Sequence, residues 1–268
     1  MGIATGRISA TGRVSASDRV LATGRVSAAS RRDGACDHIG NGLIAYYRND
    51  PETITLTSGR VSKWADLSGN GYHAVQATSS RRPTITSNWS NGLDGLAFGT
   101  SRVLGIPFTL QTTRFPITLG GVFQSTDNSA FRTIWAPTSA LGGCTFSIHT
   151  FTSTTRDFYS NSVGGAIDGN ATTNIEVWIG TVEIYVPNNV LATLRLYLGT
   201  SNTEQSLVAP TRTVFNPTGQ GFIGAVNSSA QQAFVGGTIG ELFFMNRLMT
   251  TSERVRYCSY VQSRYGTI

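Results

Sequence analysis

Lysine is nearly missing from this sequence. Lys63 stands alone against twenty arginines in 268 residues, and only 13% of the chain is charged. Arginine's planar fork suits fixed contacts to carboxylates, carbonyls and phosphates better than a mobile ammonium does. Histidine is scarce as well: His38, His73 and His149 make no His-x-x-x-His pair for zinc. The three cysteines, Cys36, Cys144 and Cys258, have no metal-ligand spacing and cannot all pair within one chain. Buried free thiols are expected at Cys144 and Cys258, with a bridge between subunits through Cys36 as a secondary hypothesis. No apolar run approaches the ~20 residues of a membrane helix. The first residues, Met1 to Arg7, hold no apolar signal region, so export through the general secretory route is not expected. A Gly-x-Ser-x-Gly elbow is absent. Glycosidases need two acids facing one cleft, about 5–10 Å apart. The nearest candidates, Glu176 and Glu183, have opposite parity on one strand and face opposite ways. These absences argue against an enzyme.

What is abundant sits at the amino terminus. From Ala4 the chain runs in hexads, Ala4-Thr5-Gly6-Arg7-Ile8-Ser9 and then Ala10-Thr11-Gly12-Arg13-Val14-Ser15, continuing to Ala28. Arginine recurs at Arg7, Arg13, Arg19 and Arg25, followed each time by Ile8, Val14, Val20 or Val26. An even period returns equivalent positions to one side of an extended chain. Residues 1–32 carry six arginines against Asp18, which is +5 of the chain's +6. The arm therefore owns the basic character, and residues 33–268 are close to neutral. Three readings compete: a solvated basic tail, a nucleic-acid tether and an assembly arm. Arginines six residues apart stand roughly 20 Å apart on an extended chain, sparse for tracking phosphates, and no aromatics are interleaved for base stacking. Four hexads cannot bury an apolar face alone, so neighbouring subunits are expected to supply the rest. An assembly arm over 1–33 is the favoured reading, with a junction over 34–42.

Residues 43–268 read as one all-β domain. Leu194, Leu196 and Leu198 alternate with Arg195 and Tyr197, and Ile117, Leu119 and Phe123 share a parity, as do Ile175, Val177 and Ile179. Turn signals such as Gly142-Gly143, Gly164-Gly165, Pro187-Asn188-Asn189 and Asn216-Pro217 separate the runs. Trp64 precedes a glycine-rich turn and is expected in the core. Near the end, Thr250 and Glu253 form a capping box. Tyr257, Val261 and Tyr265 lie four apart on one helical face, and Gly266 supplies the stop. The expected fold is a two-sheet antiparallel jelly-roll sandwich with a short C-terminal helix, preceded by the extended hexad-repeat arm.

The segment Arg60-Val-Ser-x-Trp-x-Asp-x-Ser-Gly-Asn-Gly-x-His-Ala74 resembles a signature of concanavalin A-like, laminin-G-like jelly-roll domains, common in phage and bacterial surface proteins. Arg82-Pro83, the run from Asn91-Gly92 to Phe98, and the closing strand Gly240 to Leu248 with its short helix ending in Tyr265-Gly266 fit the same pattern. The resemblance spans about 43–266 and is specific at its two ends.

This likeness implies a lectin-like head. With the arm, it leads to the expectation of a non-enzymatic virion structural protein of a tailed bacteriophage. Such a protein is made in the host cytoplasm and displayed on the virion surface as a decoration or short fibre. The alternative expectation is a receptor-binding tail fibre or spike that recognises host polysaccharide. Expected partners are further copies of the chain, as a trimer, and capsid, collar or tail proteins, with no nucleic acid and no membrane. Glycan contact is expected at Trp89, Tyr72 and Asn88, an aromatic-and-amide set in loop-like stretches. Asp66, Asn70 and Asp94 offer oxygens suited to calcium, but hydrogen bonds that hold turns are the favoured role for them. No cofactor is expected otherwise.

Overall fold

A computed structural model describes residues 38–107, 116–127, 132–136, 147–150, 155–160, 165–170, 174–184, 191–199, 203–210, 220–230 and 233–266. The hexad positions Arg7, Ile8, Arg13, Val14, Arg19, Val20, Arg25 and Val26 lie outside these residues, as do Cys36 and Cys144. The described residues form two antiparallel sheets and one C-terminal helix, as the strand patterning leads one to expect.

The first sheet runs β15 (Thr203–Pro210), β14 (Leu191–Leu198), β13 (Ile175–Ile184), β8 (Ile117–Ser125), β17 (Gly237–Met245), β6 (Leu93–Ala97) and β5 (Thr84–Ser90). An eighth strand, β1 (Leu43–Arg48), also pairs with β17. The second sheet runs β12 (Gly165–Asn170), β11 (Thr155–Ser160), β10 (Ser147–Thr150), β9 (Arg132–Ala136), β16 (Gly221–Ile223), β7 (Leu104–Ile106), β4 (Ala74–Val75), β3 (Arg60–Trp64) and β2 (Ile54–Thr57). Helix α1 covers Thr251–Tyr265.

Period-two alternation builds two cores from one sheet. In β17, Leu242 and Phe244 face the second sheet, while Phe243 and Met245 face α1. Ile117, Leu119 and Phe123 of β8 fill the space between the sheets with Trp64, Trp135 and Trp178. Val177 and Ile179 of β13 point the other way, under the helix. Each large apolar side chain so buried contributes roughly 1.5–3 kcal/mol. Glu176 has the parity of Trp178 and accepts its indole N–H at 2.8 Å, within the buried layer. Trp64 is fully buried, and its indole N–H donates to the Arg48 carbonyl at 3.0 Å.

The capping box forms as expected. Glu253 N–H donates to Thr250 Oγ1 at 3.3 Å, and Thr250 N–H donates back to Glu253 Oε2 at 2.8 Å. Arg247 grips the same carboxylate through two nitrogens, at 2.6 and 2.8 Å. That pairing holds the Glu253 carboxyl down at about 2. Gly266, with φ of +85°, ends the helix.

Helix α1 docks through a buried polar cluster as well as through apolar contact. Glu241, on the helix-facing side of β17, is completely buried. Its carboxylate accepts the hydroxyls of Tyr257 (2.6 Å), Tyr260 (3.0 Å) and Tyr265 (3.1 Å) from the helix. The Tyr46 hydroxyl of β1 approaches at 3.5 Å and lies 3.1 Å from His38 Nε2. The His38 ring stacks on Tyr260 with centroids 3.5 Å apart. Burial pushes the Glu241 carboxyl up, while the hydroxyls of Tyr257, Tyr260 and Tyr265 and the charge of Arg264 pull it back. Burial also holds His38 down at about 4, reinforced by Arg48, Arg264 and Arg256.

Two outcomes follow from the cluster. Glu241→Ala leaves three or four buried hydroxyls without their acceptor and lowers unfolding stability in urea by about 3 kcal/mol or more. Glu241→Gln keeps an acceptor oxygen in place and costs clearly less. For His38, the unfolded chain takes up its proton near pH 6.5 and the folded chain only near 4. Its contribution is thus intact above pH 6.5 and is lost as pH falls toward 4. Glu241 has the opposite sign, since acid relieves a buried carboxylate whose folded affinity for protons is raised. The melting temperature of the wild type, measured relative to His38→Gln, therefore drops between pH 6.5 and 4. A difference independent of pH refutes the assignment.

Candidate functional site

At one flank the two sheets end on β2 and β5, and a cleft of about 320 Å³ opens between these edges. Asn49, Asp50 and Pro51, from the link between β1 and β2, line it together with Ile54 and Leu56 of β2. Ile85 of β5 and Gly92, Leu93 and Asp94 of the β5–β6 hairpin complete the lining. This volume falls at the lower end of the roughly 300–1,000 Å³ typical of small-molecule sites.

The local sequence explains each wall. Asn91 and Gly92 both take positive φ (49° and 76°), the requirement of a tight two-residue hairpin turn. The β5–β6 ladder slips between Thr86 and Ser90, and Asn88 sits in the left-handed region at that bulge. Asp94 Oδ1 accepts the Asn88 N–H at 3.2 Å, which closes the bulge. The hairpin tip is tied to the end of α1: Ser90 Oγ donates to the Tyr265 carbonyl at 2.5 Å, and the Asn91 side-chain amide donates to the Arg264 carbonyl at 2.9 Å. These bonds satisfy carbonyls that a helix end otherwise leaves unpaired.

The polar atoms of the cleft divide into held and unheld. Asp50 is clamped by two guanidiniums, Arg48 Nε on Oδ2 at 2.5 Å and Arg264 Nη2 on Oδ1. Its side chain is 12% exposed. Asn49 is only 5% exposed, and its backbone N–H donates to the Gly240 carbonyl at 3.0 Å. Its side-chain Nδ2 is buried and meets no acceptor among the described residues. Asp94 is exposed, and its Oδ2 meets no donor among the described residues.

The residues singled out from sequence fall in different places. Asn88 and Trp89 lie on the hairpin that walls the cleft, but neither lines it, and Tyr72 belongs to a separate loop. Trp89 is half-buried. Its indole N–H donates to Gln124 Oε1 at 2.7 Å, and its ring meets Tyr265 edge-on at 5.9 Å, bracing the hairpin against the helix. A side chain on Gly240 would lie 2.6 Å from that ring, so glycine is required there. Asp66 accepts four bonds: from Tyr46 N–H (3.0 Å), Ser68 N–H (2.8 Å), Ser68 Oγ (2.8 Å) and Tyr72 N–H (3.0 Å). Asn70 Nδ2 donates to the carbonyls of Leu43 and Ile44. Both side chains thus knit the glycine-rich turn onto β1, while Asp94 lies on the hairpin. Among the described residues, no three His, Cys, Asp or Glu side chains converge to hold a metal. Asn49 and Asp50 escaped notice because Asn49-Asp50-Pro51 reads as an ordinary turn; an unpaired amide shows only in three dimensions.

No family model and no curated protein sequence matches the chain. Solved structures do match. Trypanosoma rangeli sialidase in complex with sialic acid aligns with a TM-score of 0.56 at 14% identity, over 85% of this chain and 34% of that one. The same enzyme as its covalent intermediate with 2,3-difluorosialic acid gives 0.53 at 12%, with the same coverage. A GH54 α-L-arabinofuranosidase soaked with a cyclic sulfate inhibitor gives 0.51 at 12%, over 82% of this chain and 60% of that one. The chain thus spans about a third of the sialidase and three fifths of the arabinofuranosidase, and the likeness is one of fold. These neighbours are glycoside hydrolases. The expectation of a non-enzymatic phage virion protein, whether decoration, short fibre or receptor-binding spike, is corrected by this finding. The fold on which it leaned occurs here in carbohydrate-processing enzymes, and none of these neighbours is a virion protein.

The Asp66 geometry is open to a direct check. Asp66→Ala strands four donors and lowers unfolding stability by about 3 kcal/mol or more, at an unchanged denaturant slope. Excess calcium or EDTA leaves the wild-type melting temperature within about 1 °C. A calcium-dependent rise abolished by Asp66→Ala makes the turn an ion site instead.

Proposed function

We propose that the sandwich binds a saccharide in the cleft between β2 and the β5–β6 hairpin. The observation that carries this is the lining of the cleft, the Asn49 side chain and two carboxylates set among aliphatic side chains. Sugars supply the matching chemistry. Their hydroxyls accept from an amide and donate to carboxylates such as Asp94 and Asp50, and their C–H faces lie against aliphatic walls such as Ile54, Ile85 and Leu93. The sandwich shared with enzymes named for sialic acid and arabinofuranosides supports this class of ligand. A concanavalin A-like, laminin-G-like ancestry, suggested by the Arg60 to Ala74 segment, belongs to the same proposal.

Glycoside cleavage is the second reading. Its specific support is that two carboxylates, Asp50 and Asp94, line one cleft, and acid–base hydrolysis draws on a pair of acids. Asp50 is paired with Arg48 and Arg264, and Asp94 faces solvent.

Isothermal titration of the full chain against oligosaccharides of arabinan, galactan and xylan tests the proposal, with reducing-sugar release measured in parallel. Asn49→Ala is expected to weaken binding at least tenfold while leaving unfolding stability equal or higher, since it deletes an unpaired group. Loss of stability with unchanged affinity refutes the role of Asn49. Sugar release that falls a hundredfold in Asp94→Asn, with affinity largely retained, moves the assignment from binding to cleavage.

A further inference from the structure

We infer that the cleft selects an uncharged saccharide and rejects acidic ones, sialic acid included. The inference rests on the saccharide reading above and adds the charge class of the ligand. Among the described residues, every charged group lining the cleft is a carboxylate, Asp50 on one wall and Asp94 on the other. The two nearby guanidiniums, Arg48 and Arg264, belong to Asp50 and do not line the cleft. A ligand carboxylate entering here meets the unmatched charge of Asp94, while both nearby guanidiniums are already engaged by Asp50, and desolvating it without a partner is costly. The remaining lining consists of the Asn49 amide, Pro51, Gly92 and the side chains of Ile54, Leu56, Ile85 and Leu93.

Asp50 offers little to a cationic ligand. The Asp50 charge is already matched by two guanidiniums, which leaves Asp94 as the carboxylate whose charge a ligand meets. Each Asp50 oxygen keeps a second lone pair after its ion pair, so it accepts a hydroxyl hydrogen without drawing in an ammonium group. Asp94 adds a second, solvent-facing acceptor through Oδ2. A polyol ring fits this set: hydroxyl donors for the carboxylates, a hydroxyl or ring oxygen for Asn49, and no formal charge. The fold shared with a sialidase therefore does not carry sialic acid specificity into this cleft.

Ligands paired by the presence or absence of a charged group provide the test. Binding of the full chain is measured by titration against arabino-oligosaccharides, lactose and 3′-sialyllactose, xylo-oligosaccharides with and without a glucuronic acid branch, and chitosan with and without N-acetylation. The uncharged member of each pair that binds is expected to bind at least tenfold tighter. The margin over the acidic member narrows from 50 to 500 mM NaCl as the repulsion is screened. Asp94→Asn is expected to shrink that margin several-fold, and Asp94→Lys to reverse it. Equal or tighter binding of a sialylated or uronate ligand, or of deacetylated chitosan, overturns the inference while leaving saccharide binding in place. Failure of every member of the panel to bind overturns the saccharide reading itself, and this inference with it.

Discussion

One buried carboxylate organises the region around the cleft. Glu241 sits under α1 without a cation in direct contact, and its stabilisation comes from tyrosine hydroxyls delivered by two separate parts of the chain. A hydroxyl donor costs less to bury than an ammonium or guanidinium, so the cluster avoids part of the desolvation cost that makes buried ion pairs poor stabilisers. The requirement is strict in return. Each tyrosine reaches Glu241 only if the helix keeps its axial position on the sheet, so the hydrogen bonds define where α1 ends. That end then supplies the Arg264 guanidinium to Asp50 and the terminal carbonyls to Ser90 and Asn91. Helix docking and cleft shape are therefore consequences of one constraint.

Gly240 shows how the sheet accommodates the arrangement. Along one side of β17, β6 pairs at Thr238 and Ile239, and β1 takes over from Glu241 onward. The ladder to β8 slips between Ile239 and Glu241, and a bulge of this kind re-aims the residue that follows it. At the same point the Gly240 carbonyl accepts the Asn49 N–H, and the Trp89 ring closes over a position that has no side chain. The change of partner strand, the burial of Glu241 and the placement of Asn49 all meet within two residues.

The fold was largely legible in the sequence, because its signals are periodic and local. Leu242, Phe243, Phe244 and Met245 alternate between two cores, Thr250 and Glu253 cap the helix, and Tyr257, Val261 and Tyr265 share its buried face. The role of Glu241 was not legible. A glutamate in a strand reads as solvent-facing, and only the three helical tyrosines hint that the facing surface needs an acceptor. The cleft was less legible still. Its walls come from residues 49–56 and 85–94, and its key clamp joins Asp50 to Arg264, 214 positions apart. Trp89 attracted attention as an aromatic beside amides, yet its indole packs toward Tyr265 because the bulge at Asn88 turns it there. Composition identifies candidate residue types, whereas the register of a hairpin decides which of them meet a ligand.

The position of the cleft at a sheet edge separates recognition from stability. The inter-sheet core and the layer under α1 draw on the large side chains of β8, β13 and β17. The cleft is lined by a short link and a hairpin tip at the margin. Substitutions at the exposed Leu56 or Asp94 alter what the cleft meets without removing a side chain from either core. A lineage carrying this scaffold is free to explore new ligands by drift in a few rim codons, with folding insulated from the search.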